Sequence, residues 1–258
     1  MVSAMEVVDQ GAVAALRAML AASRRAVVFT GAGISTESGI PDYRSPGGIW
    51  SQYRPIDFQE FMASKEARRE YWRRKFGTHE TVAGAEPNAG HLAVAALVRR
   101  GTVSAVITQN VDGLHQASGI PRAQVIELHG NTTYAHCLSC GHDYDLEPIR
   151  RAFQDDGTLP LCAACGGIVK TATISFGQAM PQAEMERARD ESLGCDLFLA
   201  IGSSLQVQPA AGFPVIAKRN GAGLVILNRE PTGLDPVADL VIGAEIGPTL
   251  EAAVRAVG

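Results

Sequence analysis

The sequence predicts an α/β protein with a parallel sheet covered by helices on both sides and a small metal-binding module. Short apolar runs alternate with helical stretches, a pattern that favours parallel strands buried on both faces. The first run, Val27–Thr30, leads directly into Gly31-Ala32-Gly33. Such a turn brings backbone N–H groups against a phosphate. Two Cys-x-x-Cys pairs later in the chain predict the metal-binding module.

Length, composition and charge limit the classes of protein to which the chain can belong. The 258 residues suffice for one large domain, or for a large and a small one. The chain is 46% hydrophobic and 19% charged, as soluble globular proteins are. Its net charge of −4 argues against non-specific binding to nucleic acid. We expect no membrane span, because no apolar run approaches the ~20 residues that one needs. The first ten residues lack a basic region, so we expect no secretory signal and a cytoplasmic location.

The individual elements follow from periodicity and from glycine and proline breakers. Amphipathic or charged periodicity predicts helices at residues 5–22, Phe58–Lys75, His91–Arg99 and Pro248–Val257. Short apolar runs predict strands at Ala26–Thr30, Val103–Thr108, Val125–Leu128, Asp196–Ile201, Leu224–Leu227 and Asp239–Ile242.

Polar or glycine residues follow most of the predicted strands. They are Gly31, Gln109-Asn110-Val111-Asp112, His129, Gly202-Ser203-Ser204 and Asn228-Arg229-Glu230. In open α/β sheets the ligand binds outside the carboxyl ends of the strands. Five such ends on one edge therefore predict a single binding crevice.

The glycine turn departs from the dinucleotide fingerprint G-x-G-x-x-G, because Thr36 stands at the third glycine position. In addition, no acidic residue ends a second strand about 20 residues further on, where a dehydrogenase places its ribose ligand. Both departures disfavour a dehydrogenase. The tail of the loop, with Asp42, Tyr43 and Arg44, places an acid, an aromatic ring and a guanidinium beside the turn.

Four of the five cysteines form two pairs, Cys137-x-x-Cys140 and Cys162-x-x-Cys165. A glycine follows each pair, as in zinc knuckles. Four thiolates leave no open coordination position, so the spacing predicts one structural zinc ion rather than a catalytic one. An iron–sulfur cluster and a redox pair are the alternatives. Cys195 precedes a buried strand and is predicted to be a core thiol.

Several motifs now occur in a recognisable order: G-A-G-I-S, G-I-P-D-Y-R-S, T-Q-N-V-D-G-L-H, E-L-H-G, the cysteine pairs, F-G-Q, G-S-S-L-Q-V-Q-P-A and N-R-E. From about residue 23 to 250 the chain resembles the sirtuins, which are NAD-dependent protein-lysine deacylases. The stretch from Arg54 to Phe76 is most similar to the class that includes mitochondrial and many bacterial members.

The resemblance implies a Rossmann-like, doubly wound parallel sheet with a smaller zinc-binding module and a helical insertion. The expected boundaries are 1–45, 87–130 and 187–258 for the NAD-binding domain, 46–86 for the helical module and 131–186 for the zinc module. An extended acyl-lysine peptide and NAD would meet in the cleft between them.

The resemblance also implies a role for each matching residue. It assigns catalysis to His129, as the general base, and to Asn110. It assigns NAD binding to Gly31, Ala32, Gly33, Asp42, Tyr43, Arg44, Gln109, Asn110, Val111, Asp112, Gly202, Ser203, Ser204, Asn228 and Glu230. In the implied reaction nicotinamide leaves, and the acyl oxygen of the lysine attacks the ribose carbon. His129 then accepts a proton from the ribose, so that its hydroxyl attacks the imidate carbon, and water completes the formation of O-acyl-ADP-ribose and free lysine.

The peptide is expected to bind as an added strand between Thr173–Gln178 and Leu205–Gln208. The substrate residues are predicted to be Tyr71, Arg74, Ile174, Phe176, Gly177 and Val207. A Tyr-x-x-Arg pair on one helix face implies recognition of succinyl- or malonyl-lysine, with the arginine on the distal carboxylate. The alternative for Tyr71 and Arg74 is an ordinary solvated basic helix.

Three residues depart from the family pattern: Tyr43 stands where phenylalanine is usual, Ser203 where threonine is, and Gln178 where glutamate is. Tyr43 keeps the aromatic ring, so we expect the reaction to be retained. Gln178 cannot supply the acidic charge that would favour basic peptides, which puts the peptide preference in doubt rather than the reaction. Two other functions stay open. One is an NAD-dependent protein ADP-ribosyltransferase using the same cleft. The other is a non-enzymatic NAD-sensing module, against which a histidine at the cleft argues.

Overall fold

The computed structural model describes residues 9–44, 48–77 and 82–255 of the protein. The strands in these ranges are β1 (Ala26–Thr30), β2 (Val103–Thr108), β3 (Val125–Glu127), β4 (Gly130–Cys137), β5 (Asp143–Asp145), β6 (Val169–Thr173), β7 (Leu197–Ile201), β8 (Gly223–Leu227) and β9 (Leu240–Ile242). The α-helices are α1 (Gln10–Ala22), α2 (Ile49–Gln52), α3 (Phe58–Ala63), α4 (Lys65–Gly77), α5 (Ala89–Arg99), α6 (Leu114–Ala117), α7 (Leu146–Asp156), α8 (Gln182–Gly194), α9 (Gly212–Arg219) and α10 (Ile246–Arg255). None of these helices has the length and apolar character that a bilayer crossing requires.

Six strands form one parallel sheet in the order β3-β2-β1-β7-β8-β9. The chain builds outward from β1 in one direction and then returns to build from β1 in the other. This order confirms the predicted doubly wound sheet. It also places the topological switch point between β1 and β7, where such folds bind their ligands.

The strands of this sheet are apolar on both faces because both faces are covered. In β1, Val28 packs into a core that includes residues of α1, α5 and α10. The neighbouring Phe29 packs into a second core that includes residues of α8 and α9. Both side chains are fully buried. The continuous apolar runs that predicted parallel strands are therefore a direct result of two-sided burial.

A second, antiparallel sheet in the order β5-β4-β6 carries the cysteine pairs. Its core contains Cys137 and Cys162 together with Trp72 and Phe76 of α4. The helical stretch and the cysteine stretch thus share one apolar core, although about 60 residues separate them in the sequence. The boundaries predicted for the separate modules stay a prediction.

The single helix predicted at Phe58–Lys75 is wrong, because the chain forms two helices there. Ser64 has an extended backbone that ends α3. Its hydroxyl then accepts a hydrogen bond from the backbone N–H of Ala67 at 3.1 Å, which caps the start of α4. Helical periodicity continues through the break, so it could not reveal the serine cap.

The other element bounds shift by small amounts. Helix α1 begins at Gln10, because the Asp9 carboxylate accepts hydrogen bonds from the N–H groups of Gly11 and Ala12. Residues 5–8 of the helix predicted there lie outside the described residues, as do residues 256 and 257 of the last one. The six predicted strands all occur, each within one residue of the expected bounds.

Candidate active site

The carboxyl ends of the central strands lie side by side. The pairing register places Thr30 of β1 beside Thr108 of β2 and Ile201 of β7. Ile201 in turn pairs with Leu227 of β8. The residues that follow these four strands therefore start at one edge of the sheet. They are Gly31, Gln109, Gly202 and Asn228.

The glycine turn after β1 is pressed against the loop after β7. A Cβ added to Gly31 would lie 2.7 Å from the carbonyl oxygen of Gly202, and one added to Gly33 would lie 2.8 Å from the Cα atom of Gly202. The N–H of Gly33 donates to that carbonyl at 2.8 Å. Only glycine permits this approach. Ala32 then starts a short 3-10 helix that leads away from the sheet edge.

A network of polar side chains joins the loops after β1 and β2. The Ser35 hydroxyl donates to the Asp112 carboxylate at 2.8 Å and accepts from the Asn110 amide at 3.1 Å. Gln109 donates to the Ser203 hydroxyl at 2.8 Å, which ties in the loop after β7. Four of the predicted cofactor residues are thus brought together and oriented by hydrogen bonds.

Two further predicted residues flank this network. Val111 accepts a hydrogen bond through its carbonyl from the N–H of Thr132 at 2.8 Å. Ser204 is half-buried and follows Ser203 in the loop after β7. Both residues lie in loops that start at the same edge of the sheet, after β2 and after β7.

His129 follows β3 at the same edge. Its Nδ1 lies 3.0 Å from the carbonyl oxygen of Gln109. A carbonyl can only accept, so this contact assigns the ring proton to Nδ1 and leaves the Nε2 lone pair available as a base. Burial lowers the pKa of His129 below its ordinary value of 6.5, and the hydrogen bond to Gln109 offsets part of that shift. At neutral pH the imidazole is therefore the neutral form, which a general base requires.

The backbone around His129 is held by strand β6. The N–H of Ile174 donates to the His129 carbonyl at 2.8 Å. Gly130 has a φ of 73°, and a Cβ there would lie 1.9 Å from the carbonyl oxygen of Ala172. The glycine after His129 is thus required by the close approach of the neighbouring strand.

A cavity connects the glycine turn to the end of β8. The residues that line it are Gly33, Thr36, Glu37, Asp42, Asn228, Arg229, Glu230, Ala244, Glu245 and Ile246. Asn228 donates to the carbonyl of Glu230 at 2.7 Å, which shapes the turn that carries both residues. The donor set fits a nucleotide, with a glycine turn for phosphate and a carboxylate and an amide for ribose hydroxyls.

An aromatic row joins the loop that carries Asp42 to the segment after β6. The Tyr43 and Trp50 rings have centroids 5.5 Å apart, and Trp50 and Phe176 have centroids 5.6 Å apart. The Arg44 guanidinium lies 4.2 Å from the Trp50 ring centroid. In addition, the N–H of Phe58 donates to the Phe176 carbonyl at 2.8 Å. Trp50 therefore connects the predicted cofactor loop to the predicted peptide segment.

Apart from Thr173, which ends β6, the segments predicted to pair with a peptide have no regular strand structure of their own. Ile174 follows the end of β6, and Gly177 adopts a φ of 78° in a turn. On the opposite segment Val207 is half-buried and accepts from the N–H of Ala211 at 2.8 Å. Both segments lie next to residues of the sheet edge described above.

Tyr71 and Arg74 share helix α4 but contact different neighbours. The Tyr71 hydroxyl hydrogen-bonds to Thr171 and lies 3.2 Å from the Thr173 hydroxyl. The Arg74 guanidinium donates to Glu70 at 2.7 Å and to the carbonyl of Arg54 at 2.7 Å. The structure therefore does not join the two side chains to each other by a hydrogen bond.

The four cysteines of the two pairs form a compact cluster. Their Sγ atoms all lie within 4.8 Å of one another. Gly141 and Gly166, at φ of 74° and 73°, turn the backbone after each pair. The cluster fits one tetrahedral zinc ion bound by four thiolates, with no position left for water. The Tyr144 hydroxyl donates to the Cys162 sulfur at 3.1 Å and would orient that ligand.

Three contributors to the site were absent from the predicted set: Ser35, Trp50 and Tyr144. Ser35 ends the G-A-G-I-S motif, so its position in that motif was an available signal. Trp50 and Tyr144 offered no comparable signal, because their roles depend on contacts with Phe176 and Cys162.

Two buried histidines, His91 and His115, lie beneath the polar network with ring centroids 5.1 Å apart. Nε2 of His115 lies 2.9 Å from the Thr30 hydroxyl, which also hydrogen-bonds to Thr108. Within the described residues, both ring nitrogens of His91 and Nδ1 of His115 lack a hydrogen-bond partner. Burial lowers the pKa of His91 to about 4 and that of His115 to about 3. Both are therefore neutral, structural histidines.

This histidine pair predicts acid sensitivity of the fold. In the unfolded chain each imidazole takes up a proton near pH 6.5, whereas the folded protein resists protonation until far lower pH. The contribution of the two histidines to stability is therefore fully present above pH 6.5, and it is lost as the pH drops towards the folded pKa values. Between pH 7 and pH 5 we expect the protonation of each histidine in the unfolded chain to lower the free energy of unfolding by about 2 kcal/mol.

Urea unfolding of the wild type and of His115→Gln, from pH 7.5 to 4.5, measures this effect. In His115→Gln the mean slope of unfolding free energy against pH should fall by about 1 kcal/mol per pH unit between pH 7 and pH 5. His142→Gln, at an exposed histidine, serves as the control for a change of histidine to glutamine at the surface. Equal slopes in the wild type and His115→Gln would contradict the prediction.

The parallel sheet, the glycine turn at its switch point and the closed four-cysteine cluster define a nucleotide-binding α/β protein with a structural metal module. Residues 31–209 match the model of the Sir2 family. The chain belongs to this family, whose members are the sirtuins.

Curated relatives agree with the family match. The chain is 62% identical over 232 residues to "NAD-dependent protein deacetylase 1" of Bradyrhizobium diazoefficiens, covering 90% of this chain and 91% of the relative. It is 43% identical over 233 residues to "NAD-dependent protein deacylase 2" of Archaeoglobus fulgidus, with 90% of each chain covered.

Solved structures agree as well. A Sir2 enzyme described under "Structural Basis for the Mechanism and Regulation of Sir2 Enzymes" has a TM-score of 0.83 at 41% identity, covering 95% of this chain and 97% of that one. A Sir2 enzyme with a p53 peptide and NAD⁺ has a TM-score of 0.83 at 35% identity, covering 92% and 95%.

Proposed function

We propose that this protein is an NAD-dependent protein-lysine deacylase, which releases nicotinamide and transfers the acyl group to ADP-ribose. One observation carries the proposal. His129, with Nδ1 donating to the Gln109 carbonyl, lies at the sheet edge that also holds the glycine turn and the Ser35–Asp112–Asn110 network. A neutral base and a nucleotide-binding turn at one switch point suit a reaction in which NAD is consumed.

Each part of the edge has a proposed task. The turn at Gly31–Gly33 takes the pyrophosphate, and Asn228 and Glu230 take the adenosine ribose. Gln109, Asn110, Val111 and Asp112 hold the nicotinamide end, together with the loop of Asp42, Tyr43 and Arg44. The loop of Gly202, Ser203 and Ser204 closes the phosphate side.

NAD supplies the ribose carbon that receives the acyl oxygen and the hydroxyl that later accepts the acyl group. His129 accepts the proton of that hydroxyl at Nε2, while the Gln109 carbonyl fixes the ring orientation through Nδ1. Asn110, held by Ser35, orients the nicotinamide ribose. The Tyr43 ring, packed on Trp50, would shield the ribose carbon until the acyl oxygen attacks it, and the final step would then consume one water molecule.

The protein substrate is an acyl-lysine segment in extended conformation. We propose that it pairs with residues 173–178 on one side and 205–208 on the other. Backbone hydrogen bonds would supply affinity, whereas Ile174, Phe176, Gly177 and Val207 would contact the side chains. Cytoplasmic residence is part of this proposal, since a reducing compartment keeps zinc-binding thiols reduced.

Recognition of an acidic acyl chain by Tyr71 and Arg74 stays a hypothesis. If Arg74 binds a distal carboxylate, Arg74→Met should lower kcat/KM for succinyl-lysine about 10- to 100-fold, because one charge-assisted pair is lost. Activity on acetyl-lysine should change little. Steady-state rates on matched peptides measure both. The control is Arg73→Met, since Arg73 also pairs with Glu70 but is largely exposed. A proportional loss on both peptides would contradict acidic-acyl recognition.

Mass spectrometry of products tests the proposed function itself. The protein is incubated with NAD and matched acetyl-, longer-acyl- and succinyl-lysine peptides. Acyl-dependent nicotinamide release with formation of O-acyl-ADP-ribose is expected. An ADP-ribosylated protein acceptor, without deacylation, would instead support the transferase alternative. Tight NAD binding with no nicotinamide release would support a sensing module.

A further inference from the structure

The cavity at the end of β8 is lined by an arginine that already forms an ion pair with a carboxylate of the chain. Nη2 of Arg229 lies 2.7 and 3.0 Å from the two carboxylate oxygens of Glu245. Both side chains line the cavity together with Asn228 and Glu230. A bound adenosine ribose would therefore face an arginine whose charge is balanced by the chain itself.

A second group that could bind a phosphate, the N-terminus of α10, is also paired with a carboxylate of the chain. The N–H of Gly247, in the first turn of α10, donates to the Glu37 carboxylate at 2.8 Å. A Cβ on Gly247 would lie 2.2 Å from the second oxygen of Glu37, so the contact is tight. Arginine side chains and helix N-termini are the groups with which proteins bind phosphate. Here each is neutralised by an internal carboxylate.

These contacts bear on the choice between NAD and NADP, which differ by a phosphate on the adenosine 2′-oxygen. In dinucleotide sites a carboxylate hydrogen-bonds the 2′-hydroxyl of NAD, whereas a nearby arginine accommodates the 2′-phosphate of NADP. This cavity is lined by a carboxylate and by an arginine, but the Arg229 guanidinium is already paired with the Glu245 carboxylate.

We propose that Glu245 makes the cavity selective for NAD over NADP, by holding Arg229 and by placing an additional negative charge beside the adenosine ribose. The inference rests on the proposed function, because it requires NAD with its adenosine ribose against Asn228 and Glu230. Glu230 contributes a further negative charge, so Glu245 accounts for part of the selectivity.

The Arg229–Glu245 pair can be removed without loss of the fold. Its side chains are 64% and 39% exposed, and exposed ion pairs add little to stability. The Glu245→Gln variant keeps the size of the side chain and removes its charge. We expect its affinity for NADP to rise about tenfold, which corresponds to about 1.4 kcal/mol. Its affinity for NAD should stay within about twofold of the wild type.

Isothermal titration calorimetry with NAD and with NADP, in the absence of peptide, measures both affinities without relying on catalysis. The matched control is Glu251→Gln, which breaks another exposed Arg–Glu pair, on α10 but outside the cavity. It should change neither affinity. Adding Arg229→Gln to Glu245→Gln should remove the part of the NADP gain that comes from the freed guanidinium.

Two outcomes would overturn the inference: equal binding of NAD and NADP by the wild type, or the same NADP affinity in Glu245→Gln and Glu251→Gln. Both would leave the deacylase proposal intact. Failure of the wild type to bind NAD at all would instead overturn the proposed function. The two results are therefore distinguishable within one set of titrations.

Discussion

Replacing His129 by alanine is expected to lower the rate of deacylation about 10²- to 10⁴-fold, the usual contribution of a general base. The base acts on the ribose hydroxyl after nicotinamide has left. The variant should therefore still exchange labelled nicotinamide into NAD when an acyl peptide is present. Product formation and nicotinamide exchange, measured side by side, separate the two steps.

The control for this prediction is His142→Ala, which removes an exposed histidine beside the cysteine cluster and should leave both activities unchanged. Thermal melting of each variant checks the fold. An equal loss of exchange and of deacylation in His129→Ala would contradict the assignment of His129 as a base acting late in the reaction.

The pH profile offers a second test of the same residue. A base must be neutral, so kcat/KM should fall as the pH drops through the pKa of His129. Because burial holds that pKa below 6.5, the acidic limb should have its midpoint below pH 6.5. A midpoint above 6.5 would show that another group controls the limb.

Replacing Cys140 by serine is expected to abolish stoichiometric zinc binding and to destabilise the module of β4, β5 and β6. Structural zinc contributes about 10–16 kcal/mol of apparent binding energy in small metal-binding domains, and that energy is folding energy. Even a loss of about 4 kcal/mol would lower the melting temperature by roughly 8–16 °C in a chain of this size. Metal analysis and thermal melting measure the two effects.

Cys195→Ser is the matched control, because Cys195 packs in the core of the parallel sheet, away from the cluster. It should keep one zinc per chain. A chelator should lower the melting temperature of the wild type as Cys140→Ser does. Visible absorbance with bound iron would instead indicate the iron–sulfur alternative. Full stability without metal would contradict a structural zinc site.

Destabilisation should reach beyond the cysteines, because Trp72 and Phe76 of α4 pack into the same core as Cys137 and Cys162. The segment Ile174–Gly177, proposed to pair with the peptide, follows β6 directly. Loss of zinc is therefore expected to weaken peptide binding as well as the small sheet.

Much of the fold and of the site could be predicted from local patterns. The apolar run before Gly31 predicts a strand that enters a tight turn, and the spacing of the cysteine pairs predicts a tetrahedral thiolate cluster. Both features are encoded within a few residues. The break at Ser64 shows the limit of such patterns, because a side-chain cap can interrupt a helix while the periodicity continues.

By itself, the sequence determined the class of sheet, the glycine turn, the four-cysteine cluster and the motifs shared with sirtuins. Tertiary structure alone decided what each side chain contacts. It paired His91 with His115, joined Trp72 to the cysteine core and placed Glu245 on Arg229. It also turned Arg74 towards Glu70. The physical reason is distance along the chain: hydrophobic periodicity and ligand spacing act locally, whereas charge and burial at a site are set by residues that only folding brings together.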